Sequence, residues 1–271
     1  MNIETEISST IKKYKLLKKT DKVVVALSGG KDSTSVLYIL KKQGYNVHAL
    51  LIDLYLGEWS KTHNQKMTKF CEENSIPLTI IDLKKELGQG ICFIKAVLKK
   101  QKNLTGCTVC GTIKRWLLNK HAKLLNADKL VTGHNLDDEA QNVLMNFLKG
   151  NIQLGANSSP ATGGKQLKGF AQRVKPLFFI PESEIKKYAI KKKFDILFEK
   201  CPCAFGTYRT DTREWMKQIT NREKLKVVEG FQKEIPKLRK ETKSEKIQQC
   251  KSCGEPSRGE LCNFCKIIKC M

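Results

Sequence analysis

Residues 23–34 read Val23-Val24-Val25-Ala26-Leu27-Ser28-Gly29-Gly30-Lys31-Asp32-Ser33-Thr34. An apolar run without polar alternation is what a strand covered on both faces requires, as in a parallel sheet. This run leads through Ala26 and Leu27 directly into Ser28–Ser33. There two glycines permit a tight turn and let backbone N–H groups approach a phosphate closely. A helix opening behind the turn adds its partial positive charge to the same spot. Lys31 can neutralise phosphate, Ser33 can donate a hydrogen bond, and Asp32 can hold Mg²⁺ or cap the helix. Asp32 stands where a Walker A loop requires Ser or Thr, and the spacing is not GxGxxG.

Outward from this loop, an amphipathic helix is expected over 4–18, with Ile3, Ile7, Ile11, Tyr14 and Leu17 at helical spacing. Further buried strands are expected at 47–52, 78–81, 129–132 and 174–179. Helices are expected at 33–43, 62–74, 91–101, 112–126, 137–148 and 182–193, with two more within 212–234. A Gly/Ser-rich loop fills about 150–169. Alternation of this kind predicts an α/β fold, an open parallel sheet of about five strands with helices on both faces. The glycine loop then sits in the crevice at the topological switch point. Asp53 closes the second strand, either as a nucleotide contact or as a loop-capping acid. Residues 1–20 read as an N-terminal helix and 21–235 as the main domain. Residues 236–249 read as a charged linker and 250–271 as a unit too short to fold without a metal.

Fifty Lys and Arg against 27 Asp and Glu give a formal charge of +23. Such an excess favours polyanions, because each neutralised phosphate releases counterions; a generally lysine-rich composition is the alternative. No apolar stretch approaches the roughly 18–20 residues that span a bilayer. The first residues, Met-Asn-Ile-Glu-Thr-Glu-Ile, are unlike a secretory leader. A cytoplasmic protein without a membrane partner is expected.

In such a compartment the eleven cysteines argue for metal ligation or redox chemistry rather than disulfides. Cys250-x2-Cys253-x8-Cys262-x2-Cys265 has the spacing of a closed tetrahedral zinc site, with no position left for substrate. Structure or RNA docking is its expected role, with Lys237, Arg239, Lys240, Lys243, Lys246 and Arg258 around it. Two further pairs, Cys107/Cys110 and Cys201/Cys203, are compatible by spacing with a zinc site of four thiols or with an iron–sulfur cluster.

Ser28-Gly29-Gly30-Lys31-Asp32-Ser33 resembles the PP-loop of the N-type ATP pyrophosphatases, SGGxDS. The resemblance implies ATP as substrate, cleavage between the α- and β-phosphates with Mg²⁺, and adenylation of a carbonyl-type oxygen. Cys107-x2-Cys110-x3-Lys114, Gly133-His134-Asn135-Leu136-Asp137-Asp138-Glu139 and Cys201-Pro202 extend the likeness. Over residues 23–203 the chain resembles the tRNA 2-thiouridine synthetases of the TtuA/NcsA/Ctu type.

That resemblance implies a [4Fe–4S] cluster on Cys107, Cys110 and Cys201, with one iron open to carry sulfide. It implies a catalytic pair, Lys114 and Asp138, and a nucleotide crevice including Gly133 and His134. By themselves, Lys114 reads as an exposed helical lysine and Asp137 and Asp138 as acids at a helix N-terminus. Asn135 alone reads as an N-cap. The implied reaction is adenylation of a uridine C2 oxygen in tRNA, then sulfur insertion from sulfide or a thiocarboxylated ubiquitin-like carrier, in a possible homodimer. Thiolation of a tRNA cytidine, an ATP-dependent reaction on a small molecule, and a zinc-dependent RNA-binding module without catalysis are the other readings. Many members of the group carry a cysteine-rich finger ahead of the first helix; here no cysteine precedes Cys71.

Overall fold

In the computed structural model, residues 1–102, 106–162, 170–197, 208–241 and 247–268 are described. Helix α1 (Ile3–Tyr14) leads to β1 (Lys22–Ala26), α2 (Lys31–Lys42), β2 (Asn46–Asp53), α3 (Glu58–Glu73) and β3 (Leu78–Asp82). Three helices follow, α4 (Leu83–Leu87), α5 (Ile91–Lys102) and α6 (Gly106–Leu124), before β4 (Lys129–Val131) and α7 (Leu136–Leu148). Short strands β5 (Ala161–Thr162) and β6 (Gln172–Val174) precede α8 (Glu182–Lys191), α9 (Tyr208–Trp215) and α10 (Asn221–Glu241). The chain closes with β7 (Gln248–Gln249), β8 (Pro256–Ser257) and α11 (Asn263–Ile268). Among the described residues no helix is long and apolar enough to cross a membrane.

The main sheet runs β3-β2-β1-β4-β6-β5, parallel except for the antiparallel edge strand β5. The chain moves outward from β1 to β3, then returns to lay β4 on the other side of β1. The loop after β1 therefore opens at the switch point. Val23 and Val25 face one core with Ile7, Leu37, Met67 and Ile185. Val24 faces the other, with Leu50, Ile94, Ile113 and Leu117. Both faces of β1 are thus covered, which is why its sequence shows no polar alternation.

Where the structure departs from the expected elements, the reasons are local. Helix α1 stops at Tyr14 because Lys15 turns into the left-handed region (φ 50°), yet Leu16 and Leu17 still enter the core. The fifth parallel strand ends at Val174, short of the expected 179, because Pro176 has no N–H to donate to a ladder. A sixth, two-residue strand, β5, appears inside the segment read as loop.

Residues 236–241, read as the start of a linker, instead continue α10 through Pro236. A helix-interior proline costs about 3 kcal/mol. Burial of Ile235, and the bond from Arg239 Nε to the Ala156 carbonyl (2.9 Å), hold this last stretch in place. The C-terminal unit packs into the same core as α5 and α6, with Phe264 stacked on Trp116 at 3.8 Å.

Glu139 on α7 is fully buried and meets Lys175, just past β6, at 2.7 Å; Ser158 Oγ donates to its other oxygen. Removing one partner of a buried pair leaves an uncompensated charge, at a cost of about 3–5 kcal/mol. Lys175→Met should lower the unfolding free energy in urea by that amount. A loss below about 1 kcal/mol would show that the pair contributes little to stability.

Candidate nucleotide site and cysteine centres

At the end of β1 the loop turns through Gly29 (φ 69°) into the first turn of α2. The Ser33 hydroxyl closes it: Ser33 Oγ accepts from the Ser28 amide (3.1 Å), lies 3.0 Å from Ser28 Oγ and donates to the Gly30 carbonyl (3.2 Å). A Cβ on Gly29 would overlap the ring of His63, which stacks on Trp59 at 4.8 Å. A cavity of about 270 Å³ opens here. Its walls are Ala26, Leu27, Ser28 and Gly30, the end of β2, Trp59 and His63 from α3, and Lys114 from α6. Apolar walls with a few polar groups suit a nucleobase. Burial, with the charge of Lys114, pushes His63 below the usual imidazole range, so it stays neutral at pH 7.

On the α7 side of the loop the chemistry is ionic. Lys31 Nζ donates to Asp32 (3.0 Å) and Glu182 (2.6 Å), and Arg213 Nη2 donates to both oxygens of Glu182 (2.6 and 2.7 Å). The Glu182 amide donates to Asp137 Oδ2 (2.7 Å), whose Oδ1 takes Lys224 (2.6 Å). Asn135 Nδ2 reaches Asp32 Oδ1 (3.1 Å), while Asn135 and Asp138 form a capping box at the start of α7. A Cβ on Gly133 would come 2.8 Å from the Ser33 amide nitrogen, so only glycine lets the β4–α7 loop approach α2 this closely. Burial raises Asp32 above the usual carboxylate range despite Lys31, and the nearby Asp138 adds to the rise. Burial disfavours the charge on Lys31, but Asp32 and Glu182 outweigh it and raise its pKa.

In the C-terminal unit the sulfurs of Cys250, Cys253, Cys262 and Cys265 all lie within 4.8 Å of one another. The Cys262 amide donates to Cys250 Sγ (3.2 Å) and the Cys265 amide to Cys262 Sγ (3.4 Å). Burial pushes the Cys250 thiol up, but the amides of Cys262, Cys253 and Ser252 outweigh it and bring it to about 6. Four converging soft donors with amide support fit a zinc ion.

A model of the PP-loop domain family matches residues 1–199. The chain is 36% identical over 266 residues to the tRNA-5-methyluridine(54) 2-sulfurtransferase of Pyrococcus horikoshii, covering 97% of this chain and 83% of that one. It is 31% identical over 276 residues to the cytoplasmic tRNA 2-thiolation protein 1 of Laccaria bicolor, covering 98% and 76%. Its fold superposes on the U34-tRNA thiolase NcsA of Methanococcus maripaludis, solved with its [4Fe–4S] cluster. The TM-score is 0.78 at 27% identity, covering 98% of this chain and 86% of that one. The chain belongs to the PP-loop tRNA sulfurtransferase family.

Of the residues singled out for that chemistry, the structure gathers some and separates others. Lys114 shares the larger cavity with Ser28 and Gly30. Asp138 lines a smaller one, of about 120 Å³, with Asp137, Glu182 and Arg213. The loop lines the first through Ser28 and Gly30 and is tied to the second by the ion pair from Lys31 to Glu182. Asp53 caps the turn after β2 by accepting from the Tyr55 amide (2.9 Å), while its neighbours Ile52 and Leu54 line the cavity. His134 Nδ1 lies 2.9 Å from Thr132 Oγ1. Cys107, Cys110 and Lys114 all sit on α6, with Cys110 half-buried. At three and four residues apart they share one side of the helix. The side chain of Cys107, and Cys201, Cys203 and Cys270 entirely, lie outside the described residues.

Trp59, His63, Glu182 and Arg213 belong to the site and escape the sequence reading. Trp59 and His63 carry a faint signal, an i, i+4 aromatic pair on one helix face. Nothing local marks Glu182 or Arg213, which reach the loop from about 150 and 180 residues downstream. Gly29→Ala should cost about 1–2 kcal/mol in backbone strain and displace His63. ATP affinity measured by calorimetry should fall about tenfold or more, with the far-ultraviolet spectrum unchanged. An affinity within about twofold would show that the Gly29–His63 contact is dispensable.

Proposed function

We propose that the chain uses ATP to activate a uridine in tRNA and exchanges its C2 oxygen for sulfur. One observation carries this reading: Lys114, from the helix bearing Cys107 and Cys110, lines the same cavity as Ser28 and Gly30 of the PP-loop. The nucleotide-activating and cysteine-bearing parts therefore meet at one opening.

The base of ATP enters the apolar cavity beside Trp59 and His63. The amides at the start of α2 face the phosphates, with Lys31 and Mg²⁺ neutralising charge. The uridine C2 oxygen attacks the α-phosphorus and pyrophosphate leaves. Sulfur then adds at C2 and AMP departs with the original oxygen. Lys114 offsets the charge that develops at the base, and Asp138 holds or moves a proton beside the loop. Cys107, Cys110 and Cys201 are the residues that would hold a [4Fe–4S] cluster, which supplies an iron able to carry sulfide. Cys250, Cys253, Cys262 and Cys265 would hold zinc in a structural role. The charge of +23 supports tRNA as partner. Sulfide or a thiocarboxylated carrier is the donor, the cytoplasm the compartment, and a homodimer the working form.

Anaerobically purified protein should contain about four irons and one zinc per chain. Incubated with unmodified tRNA, ATP, Mg²⁺ and sulfide, it should yield a 2-thiouridine in the nucleoside digest and release pyrophosphate in step. A digest without thiolated base from iron-loaded protein defeats the proposal. Thiocytidine would move it to the cytidine reading, and tRNA-independent pyrophosphate release to a small molecule.

A further inference from the structure

The smaller cavity beside the loop contains an ion-pair arrangement with uneven sharing. Lys224 has its own carboxylate, Asp137, and Lys217 has Glu214. Glu182 alone serves two cations from different elements, Lys31 of the loop and Arg213 of α9. Lys31 is largely buried, and its ammonium is drawn to the α8 side by a carboxylate that contributes nothing to phosphate binding. Arg213 is half-exposed (51%) and bonds Glu182 through one nitrogen, Nη2, to both oxygens. Glu182 is the one hydrogen-bond partner of Arg213 among the described residues, so Nη1 and Nε remain as donors in the same rigid fork. That fork matches the oxygens of a phosphate group as well as it matches a carboxylate.

The surroundings make extra cations necessary. Asp32 and Asp138 both stand beside the loop, close enough for Asp138 to raise the pKa of Asp32. Together with Glu182 they repel any polyanion that approaches. Arg213 senses all three, since Glu182, Asp138 and Asp32 each favour its charged form against burial. Arg213, already anchored among these acids and joined to Lys31 through Glu182, is a second counter-charge beside Lys31 when phosphates arrive.

We propose, resting on the ATP reading above, that Arg213 is a second phosphate-binding residue and that Glu182 holds both Arg213 and Lys31 in reserve. Entry of the β- and γ-phosphates displaces the Glu182 carboxylate from the two cations. Release of pyrophosphate restores the pairing, so Glu182 competes with the product as well as with the substrate. Glu182 is a positioning residue here, and Arg213 makes the contact.

A scaffold that merely ties α8 and α9 to the loop would respond differently to two substitutions. In calorimetric titrations of the full chain with sodium pyrophosphate, Arg213→Ala should weaken binding about 10- to 100-fold, the worth of charge-assisted hydrogen bonds. AMP, which lacks the displaced groups, should bind as in the parent chain, and Arg213→Lys should fall between. Glu182→Gln keeps the shape but removes the competing charge, so it should tighten pyrophosphate binding severalfold. Three results overturn the proposal: unchanged pyrophosphate affinity in Arg213→Ala, an equal loss for AMP, or weaker pyrophosphate binding in Glu182→Gln. A parent chain that binds neither ATP nor pyrophosphate is a separate result, and it overturns the ATP reading together with this one.

Discussion

The constraint on which the rest of the molecule depends is the enclosure of β1. Its two edges pair with β2 and β4, and its side chains alternate between two cores. A strand held on all four sides has one exit, and its last residues point at the switch point of the sheet. Backbone groups released there must find partners. The Ser33 hydroxyl meets some of them and the Asn135 side chain steadies the acid beside them. Gly133 lets the second loop close over the first turn of α2. The amides left facing the opening are those a phosphate can use.

Helix α6 supplies Lys114 to the wall of the cavity. One side bears Cys107, Cys110 and Lys114, while Val109, Ile113 and Leu117 fix the helix against the sheet. Trp116 receives the ring of Phe264 from the C-terminal unit. That unit therefore buttresses the helix that carries the cysteines instead of hanging from a tether. A metal on its four thiols would contribute folding free energy to the same core, and so to the placing of α6.

Those features that depend on neighbours in sequence were legible. The apolar run of β1, the glycine turn, the alternation of strands and helices, and the two-residue cysteine spacings all act within about a dozen residues. Boundaries set by single residues were less so: Lys15 ends α1 in a conformation its type seldom adopts, whereas Pro176 ends a ladder as its chemistry dictates. Pro236 misleads in the other direction. Its local cost is real, but contacts made by Ile235 and Arg239 with distant segments outweigh it. Glu182 and Arg213 are the extreme case, ordinary surface-type residues given a role only by where α8 and α9 land. Sequence shows a charge there, but its partner is a property of the tertiary fold.

Charge separates the two tasks of the molecule. The chain as a whole is strongly basic, yet the groups around the loop are not: Lys31, Arg213 and Lys224 face Asp32, Asp137, Asp138 and Glu182. A basic surface acts over a Debye length of about 8–10 Å and weakens with salt. It therefore favours a long polyanion broadly and by rate of approach. The loop works at hydrogen-bond distance among partly buried acids, where an unaccompanied polyphosphate would be repelled. Entry there requires cations that arrive with the nucleotide or turn toward it. On the ATP reading proposed above, a phosphate chain that comes with a divalent ion meets this requirement, while the basic charge outside favours RNA.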